Sequence, residues 1–180
     1  MSFDQKISRS IYEATKKSWM LRHAAVFFAS DLIWLVIGFV GGLVFVLTPE
    51  IFQMERFLRM GMMVVFLIGA WLVTALIARL AKRDRPYKSQ GYKPIIKPFI
   101  ETSSFPSAHA TFSFALLGYT LVIGVPWLIW SVLVAALFVC IGRVMVGVHR
   151  LSEVVAGAFV GFAVSSIVSL TLIIFLAINA

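Results

Sequence analysis

The chain has one cysteine, few acids and little charge of either sign. Of 180 residues, eight are Asp or Glu, three are histidine, and charged residues make up 13%. The single Cys140 excludes a disulfide framework and a thiolate metal cluster. Lying in an apolar run, it reads as a small buried hydrophobe. No carboxylate or histidine group has metal-ligand spacing, so neither a metal nor a cofactor is expected. The scarcity of charge excludes an ordinary soluble domain, in which about 25% of residues are charged. In its place stand apolar residues, 61% of the chain, with 16 Phe, 5 Trp and 4 Tyr. Too little polar surface is left to cover a core of this size in water. The net charge of +8 therefore belongs to the loops and phosphate-facing surfaces of a membrane protein, not to a nucleic-acid-binding domain.

Roughly 20 apolar residues cross a hydrocarbon core about 30 Å thick. Five stretches read as crossings: Ala24–Leu47, ended by Thr48-Pro49; about Gly61–Leu80; Ala108–Ile123, opened by Phe105-Pro106-Ser107; Trp127–Val144, after the Gly124-Val125-Pro126 hairpin; and Glu153 to about Ile178. The expected fold is an all-α membrane protein, a bundle of about five transmembrane helices, with residues 24–180 as a single domain. Residues 1–23 differ. Phe3, Ile7, Ile11 and Ala14 recur at helical spacing, with Lys6, Arg9, Glu13, Lys16 and Lys17 between them. That pattern predicts an amphipathic helix lying in the membrane interface, apolar face down. It is no cleaved signal, because the apolar run that follows is too long. Gly157 and Gly161 form a GxxxG pair, a close-packing face on the last span. His23 reads as an interfacial residue. Asp31 reads equally as a helix-terminal charge or as a partner for an arginine.

Five crossings put the N-terminal segment, the Arg79–Pro106 loop and the Val144–Ser152 link on one side. Fourteen of the 16 Lys and Arg lie there, leaving Arg56 and Arg59 opposite. By the positive-inside rule alone, the rich side is cytoplasmic. Three clusters share it: Lys82-Arg83-Asp84-Arg85-Pro86; Ser104-Phe105-Pro106-Ser107-Ala108-His109; and Gly142-Arg143, with His149 and Glu153 beyond. Arg85 and Arg143 each offer a planar fork of donors that suits a phosphate. A helix starting at Pro106-Ser107 leaves N–H groups near Ala108 and His109 free for an anion, and the Ser107 hydroxyl adds a donor. Glu153, four residues after His149, is placed to accept the Nδ1–H and leave Nε2 as a nucleophile. His109 remains as the acid for a leaving oxygen. Lys88, Lys93 and Lys97 read as solvated or headgroup-facing.

In order and spacing these clusters resemble the signature segments of the type-2 phosphatidic acid phosphatase superfamily of membrane phosphatases. That pattern is a lysine seven residues before Arg-Pro, then Pro-Ser-x-His, then Ser-Arg, five residues, His, three residues and Asp. Arg85-Pro86 matches the end of the first, Pro106-Ser107-Ala108-His109 the second, and Arg143, His149 and Glu153 the third. The resemblance spans roughly residues 60–165, with its signature segments within about 79–153. It implies His149 as nucleophile, Glu153 as its orienting carboxylate and His109 as general acid. Arg85, Ser107, Arg143, the Ala108 backbone and Lys82 would hold the phosphate.

Three positions depart from the pattern. Ala78 stands where the lysine is expected, with Arg79 or Lys82 as substitutes from a neighbouring turn; Gly142 replaces serine; Glu153 replaces aspartate.

Within the superfamily the chain is most similar to bacterial undecaprenyl-diphosphatases of the bacitracin-resistance type, whose site faces away from the cytoplasm. The resemblance therefore implies a metal-independent enzyme of the cell membrane that removes the terminal phosphate of an isoprenyl diphosphate through a phosphohistidine. The alternative within the class is a phosphatidate or phosphatidylglycerophosphate phosphatase. Outside it stands a non-catalytic lipid-phosphate binder or transporter. The expected partners are a lipid phosphate or diphosphate and the membrane, with no nucleic acid. The sequence does not set the oligomeric state.

Overall fold

The computed structural model describes residues 2–48, 53–98 and 102–179, and every regular element among them is helical. Helix α1 (Phe3–Lys17) opens with a reciprocal cap: the Ser2 hydroxyl accepts from the Gln5 N–H, and the Gln5 side chain accepts from the Ser2 N–H. Extended Ser18 separates it from α2 (Trp19–Val26), and the Ser18 hydroxyl caps that helix through the Leu21 N–H. A π turn at Phe27–Asp31 joins α2 to α3 (Leu32–Leu47), so that Trp19–Leu47 forms one long apolar segment. Then follow α4 (Gln53–Ala81), the short α5 (Pro86–Gln90), α6 (Ala108–Ile123), α7 (Pro126–Met145) and α8 (Leu151–Asn179).

Among the described residues, four of the five expected segments are long and apolar enough to cross a membrane. The exception is α6, whose 16 residues span only about 24 Å at 1.5 Å per residue. Its position accounts for this. Helix α6 is the centre of the bundle, packed on α8 most extensively and then on α7 and α4. Residues Thr111, Ser113 and Ala115 through Thr120 are all buried. A helix sheathed by protein need not match the bilayer, so its length is free to place its N-terminus at one end of the bundle. The α6–α8 contact uses the GxxxG pair: a Cβ on Gly157 would stand 2.6 Å from the Ser107 carbonyl oxygen, and one on Gly161 3.0 Å from the Ala115 nitrogen. The apolar core joins Val40 of α3, Phe66 of α4, Leu116 and Tyr119 of α6, and Leu128 and Val132 of α7. Large apolar side chains such as Trp34, Trp71, Trp130 and Phe159 point outward, as a lipid solvent requires.

Other expectations shift. The N-terminal helix ends at Lys17, and residues 19–23 belong to the first span's helix. Helix α1 buries Ser8, Tyr12 and Thr15 against the protein, whereas Phe3 is exposed and Ile7 and Ile11 are half-buried. The face turned to the protein is thus mixed: Ser8 and Tyr12 hydrogen-bond main-chain groups at Leu151 and Lys93, while Ile11 packs against Ala110, Val144 and Val154. Asp31 is exposed and caps nothing through its side chain. Pro49, expected to end the first span, lies outside the described residues.

Candidate active site

The three clusters meet at one end of the bundle. Loop residues are stitched together by main-chain bonds: Ser104 N–H to the Arg83 carbonyl (2.9 Å), Ile95 N–H to that of Val146 (3.0 Å), and Ser107 N–H to that of Glu153 (3.0 Å). Arg56 and Arg59 lie at the other end, where Arg56 donates to the Thr48 carbonyl and Tyr119 to that of Arg59.

His149 sits in the link between α7 and α8 and is only 3% exposed. Its Nδ1 faces two acceptors, the Ser104 carbonyl at 2.9 Å and Glu153 Oε2 at 3.2 Å. Neither can donate, so the Nδ1 nitrogen carries the proton and Nε2 carries the lone pair. Arg85 Nη1 stands 3.4 Å from that Nε2. Burial pushes the imidazole down to about 4, with Arg143 and Arg85 acting in the same direction and Glu153 pulling against them. At neutral pH the ring is uncharged, the form a nucleophile needs.

Glu153 is wholly buried in the first turn of α8, and its charge is met on both oxygens. Oε1 lies 2.7 Å from Arg150 Nη1, 2.9 Å from the Ser104 hydroxyl and 3.4 Å from Arg83 Nε. Oε2 accepts from the Arg150 N–H at 3.1 Å as well as from His149. A buried carboxylate is tolerable only when its lone pairs are satisfied in this way.

Opposite His149 lies a set of donors. Arg143, 6% exposed, gives Nη1 to the Ala29 carbonyl at 2.9 Å, and its buried Nε has no partner among the described residues. The buried Ser107 hydroxyl likewise has none. Its N–H is already held by the Glu153 carbonyl, so Ser107 offers its side chain, the donor expected of it. Helix α6 begins at Ala108, which leaves the N–H groups of Ala108, His109 and Ala110 without intrahelical acceptors; the first such bond runs from Thr111 to Ser107. His109 is half-buried and within electrostatic reach of Arg143, His149 and Arg85.

Two expected contributors are not buried with the cluster. Lys82 is exposed, with a left-handed φ of 43°, and Arg79 is exposed on the last turn of α4. The basic side chains that reach the cluster at Glu153 are Arg83 and Arg150. Arg150 is the residue that motif reasoning misses: 3% exposed, it also donates to the Asp84 carbonyl (3.2 Å) and to the Ser89 hydroxyl (2.7 Å). It thereby ties the Arg85 loop to Glu153. Its one signal in the sequence is a basic residue where a helix start favours Ser, Thr, Asp or Asn, three residues before a buried carboxylate. Ser104, inside the second cluster, likewise gives no sign in the motif of being a partner to both His149 and Glu153.

Gly142, the departure from the family's serine, has a packing cause. A Cβ there would lie 2.7 Å from both Phe28 Cβ and the Ala29 nitrogen. The π turn of the first span presses onto α7 at this point and presents the Ala29 carbonyl to Arg143. An apolar cavity of about 500 Å³ between α1, α6, α7 and α8, lined in part by Ile11, Cys140, Val144 and Val154, shares no residue with the polar cluster.

Residues 59–173 match the PAP2 superfamily, a stretch that runs from within α4 through most of α8 and includes all three clusters. No protein of curated function matches the chain in sequence. In structure, the chain is similar to a transmembrane PAP2-type phosphatidylglycerolphosphate phosphatase from Bacillus subtilis, with a TM-score of 0.68 at 21% identity over 92% of this chain and 82% of that one. The match over most of the bundle assigns the family: the chain belongs to the PAP2 superfamily and is a membrane lipid-phosphate hydrolase.

Proposed function

We propose that the protein removes the terminal phosphate of an isoprenyl diphosphate through a phosphohistidine formed at His149. The observation that carries the reading is the pairing of a neutral, buried His149 with buried donors that lack partners among the described residues, the Ser107 hydroxyl and Arg143 Nε. Buried donors without acceptors cost free energy, and a phosphoryl group supplies acceptors for them.

In this mechanism the terminal phosphate lies among Arg85, Arg143, Ser107 and the first N–H groups of α6. Arg85 shifts its donors from the Nε2 lone pair to phosphate oxygens. Nε2 then attacks phosphorus, and the bond from phosphorus to the bridging oxygen breaks. His109, protonated beside the anionic substrate, gives its proton to that oxygen, and isoprenyl phosphate leaves. The proton on Nδ1 stays between Ser104 and Glu153, whose charge stabilises the phosphorylated ring. Neutral His109 next takes a proton from water, hydroxide attacks the phosphohistidine, and Nε2 regains its lone pair as phosphate departs. The arginines neutralise charge on the equatorial oxygens in both steps.

The Phe105-Pro106-Ser107 stretch, the N-terminal amphipathic helix and the absence of the first-motif lysine favour the isoprenyl substrate and a site open to the outside of the cell membrane. A second reading, phosphatidylglycerophosphate hydrolysis, is favoured by the likeness to the Bacillus subtilis phosphatidylglycerolphosphate phosphatase. Competing the two lipids for the purified protein decides between them. A kcat/KM at least about tenfold higher for the isoprenyl diphosphate supports the first reading, and the reverse ratio supports the second.

A further inference from the structure

We propose that α1 serves as an N-cap supplied in trans to the catalytic helix α8, making Asp4 and Ser8 positioning residues for His149 and Glu153. The inference rests on His149 and Glu153 being the reacting pair.

Any helix starts with N–H groups that no turn of its own can satisfy. The residue ahead of α8 is Arg150, whose side chain is committed to Glu153, Asp84 and Ser89 and cannot accept a hydrogen bond. The cap comes instead from the far end of the chain. The Leu151 N–H donates to the Ser8 hydroxyl at 2.9 Å, and the Ser152 N–H donates to Asp4 Oδ1 at 3.1 Å. The Ser152 hydroxyl donates to Asp4 Oδ2 at 2.6 Å. Asp4 also places a negative charge at the positive end of the α8 dipole. Its Oδ2 lies 4.0 Å from Arg83, which reaches Glu153 Oε1 with its Nε.

The same helix braces the other flank of the catalytic turn. Tyr12 donates to the Lys93 carbonyl at 2.6 Å and packs on Tyr92 with ring centroids 4.6 Å apart. Tyr92 in turn donates to the Gly147 carbonyl at 3.0 Å. A Cβ on Gly147 would come within 2.7 Å of Tyr12 and 2.9 Å of Tyr92, and its φ of 79° suits glycine. His149 therefore sits on the short link between α7 and α8, held at Gly147 by Tyr92 and Tyr12 and at Leu151–Ser152 by Ser8 and Asp4. None of the α1 residues lies within the family match, which begins at residue 59. An in-line attack needs the nucleophile fixed to a fraction of an ångström, so loss of the brace lowers turnover more than binding.

The test uses the full-length protein in detergent, with Asp4→Ala/Ser8→Ala, Asp4→Asn and Ser8→Ala variants. Phosphate release from a lipid phosphate is read together with amide hydrogen exchange. The double variant is expected to lose about tenfold or more in kcat with KM within about threefold. Exchange of the Leu151 and Ser152 amides should rise by about tenfold while that of residues 115–119 in α6 stays unchanged. Asp4→Asn keeps an acceptor oxygen for the Ser152 N–H and should recover most of the rate. If the double variant does not fold, Ser8→Ala alone carries the test, through faster exchange at Leu151 and a lower kcat. The proposal is overturned by a kcat within about twofold of wild type, by unchanged exchange at Leu151, or by exchange rising equally throughout the bundle. Turnover surviving in His149→Ala would overturn the catalytic assignment itself, whatever Asp4 does.

Discussion

The Glu153 carboxylate meets the His149 imidazole at 3.2 Å, Oε2 to Nδ1, and neither side chain is more than 4% exposed. The pair is separated by one turn of chain, yet its surroundings come from across the protein: Ser104 and Arg83 from the loop, Arg150 from the helix start, Arg85 on the far nitrogen. What this contact does for the nucleophile can be measured.

Replacing Glu153 with Gln keeps the shape and removes the charge. The kcat should fall by about 100-fold, because the phosphorylated, positively charged ring loses its counter-charge. Glu153 pulls the His149 pKa upward, so the acid limb of kcat/KM should move to lower pH in the same variant. A limb that moves upward, or an unchanged kcat, contradicts the assigned role.

Gly142→Ser restores the residue usual in the family, and the expectation is a loss. The new Cβ meets the π turn at Phe28 and Ala29, and the displaced turn no longer holds the Ala29 carbonyl against Arg143. Both thermal stability and kcat/KM should fall, stability by about 1–3 kcal/mol. A variant equal to or better than wild type would show that this packing does not set the position of Arg143.

Stability should depend on pH through His149. The ring titrates near 4 in the folded protein against an ordinary value of 6.5. Between these values the unfolded chain binds the proton and the folded one does not, so folding weakens as pH falls from about 6.5 toward 4, by up to about 3 kcal/mol. Above that window His149 contributes no pH dependence. Thermal midpoints of wild type and His149→Asn, compared from pH 7.5 to 4.5, should show wild type losing ground as pH falls. A constant difference between the two contradicts the buried neutral ring.

The chemistry assigned to histidines and arginines needs no metal ion. Turnover in EDTA should equal turnover without it. Loss of activity that a divalent cation restores would count against the mechanism.

Much of the site is legible in the sequence, because motif spacing and the parity of membrane crossings both constrain the same residues. Arg85, Ser107, His109, Arg143, His149 and Glu153 come from segments that must share one side if the crossings alternate. The features that escape carry no side-chain pattern. The Ala29 carbonyl is a backbone group, exposed to Arg143 only by a π turn. Arg150 is a basic residue beside the proposed nucleophile, and its burial depends on acceptors from Asp84 and Ser89. The orientation of α1 escapes for a related reason. Its apolar stripe is visible in the sequence and gives Ile11 to the contact, but the hydrogen bonds of Asp4, Ser8 and Tyr12 that complete the docking carry no such pattern. Lys82 is exposed, since charge and proximity in sequence do not fix which loop residues become buried.

The most direct test is to trap the intermediate. Protein mixed with a terminally labelled lipid phosphate and quenched in alkali, which preserves a phosphoramidate, should carry label on His149 by peptide mass analysis. His109→Ala should accumulate it from a substrate with a good leaving group, because the step that hydrolyses it loses its base. Label on another residue, or wild-type turnover by His149→Ala, would contradict the account.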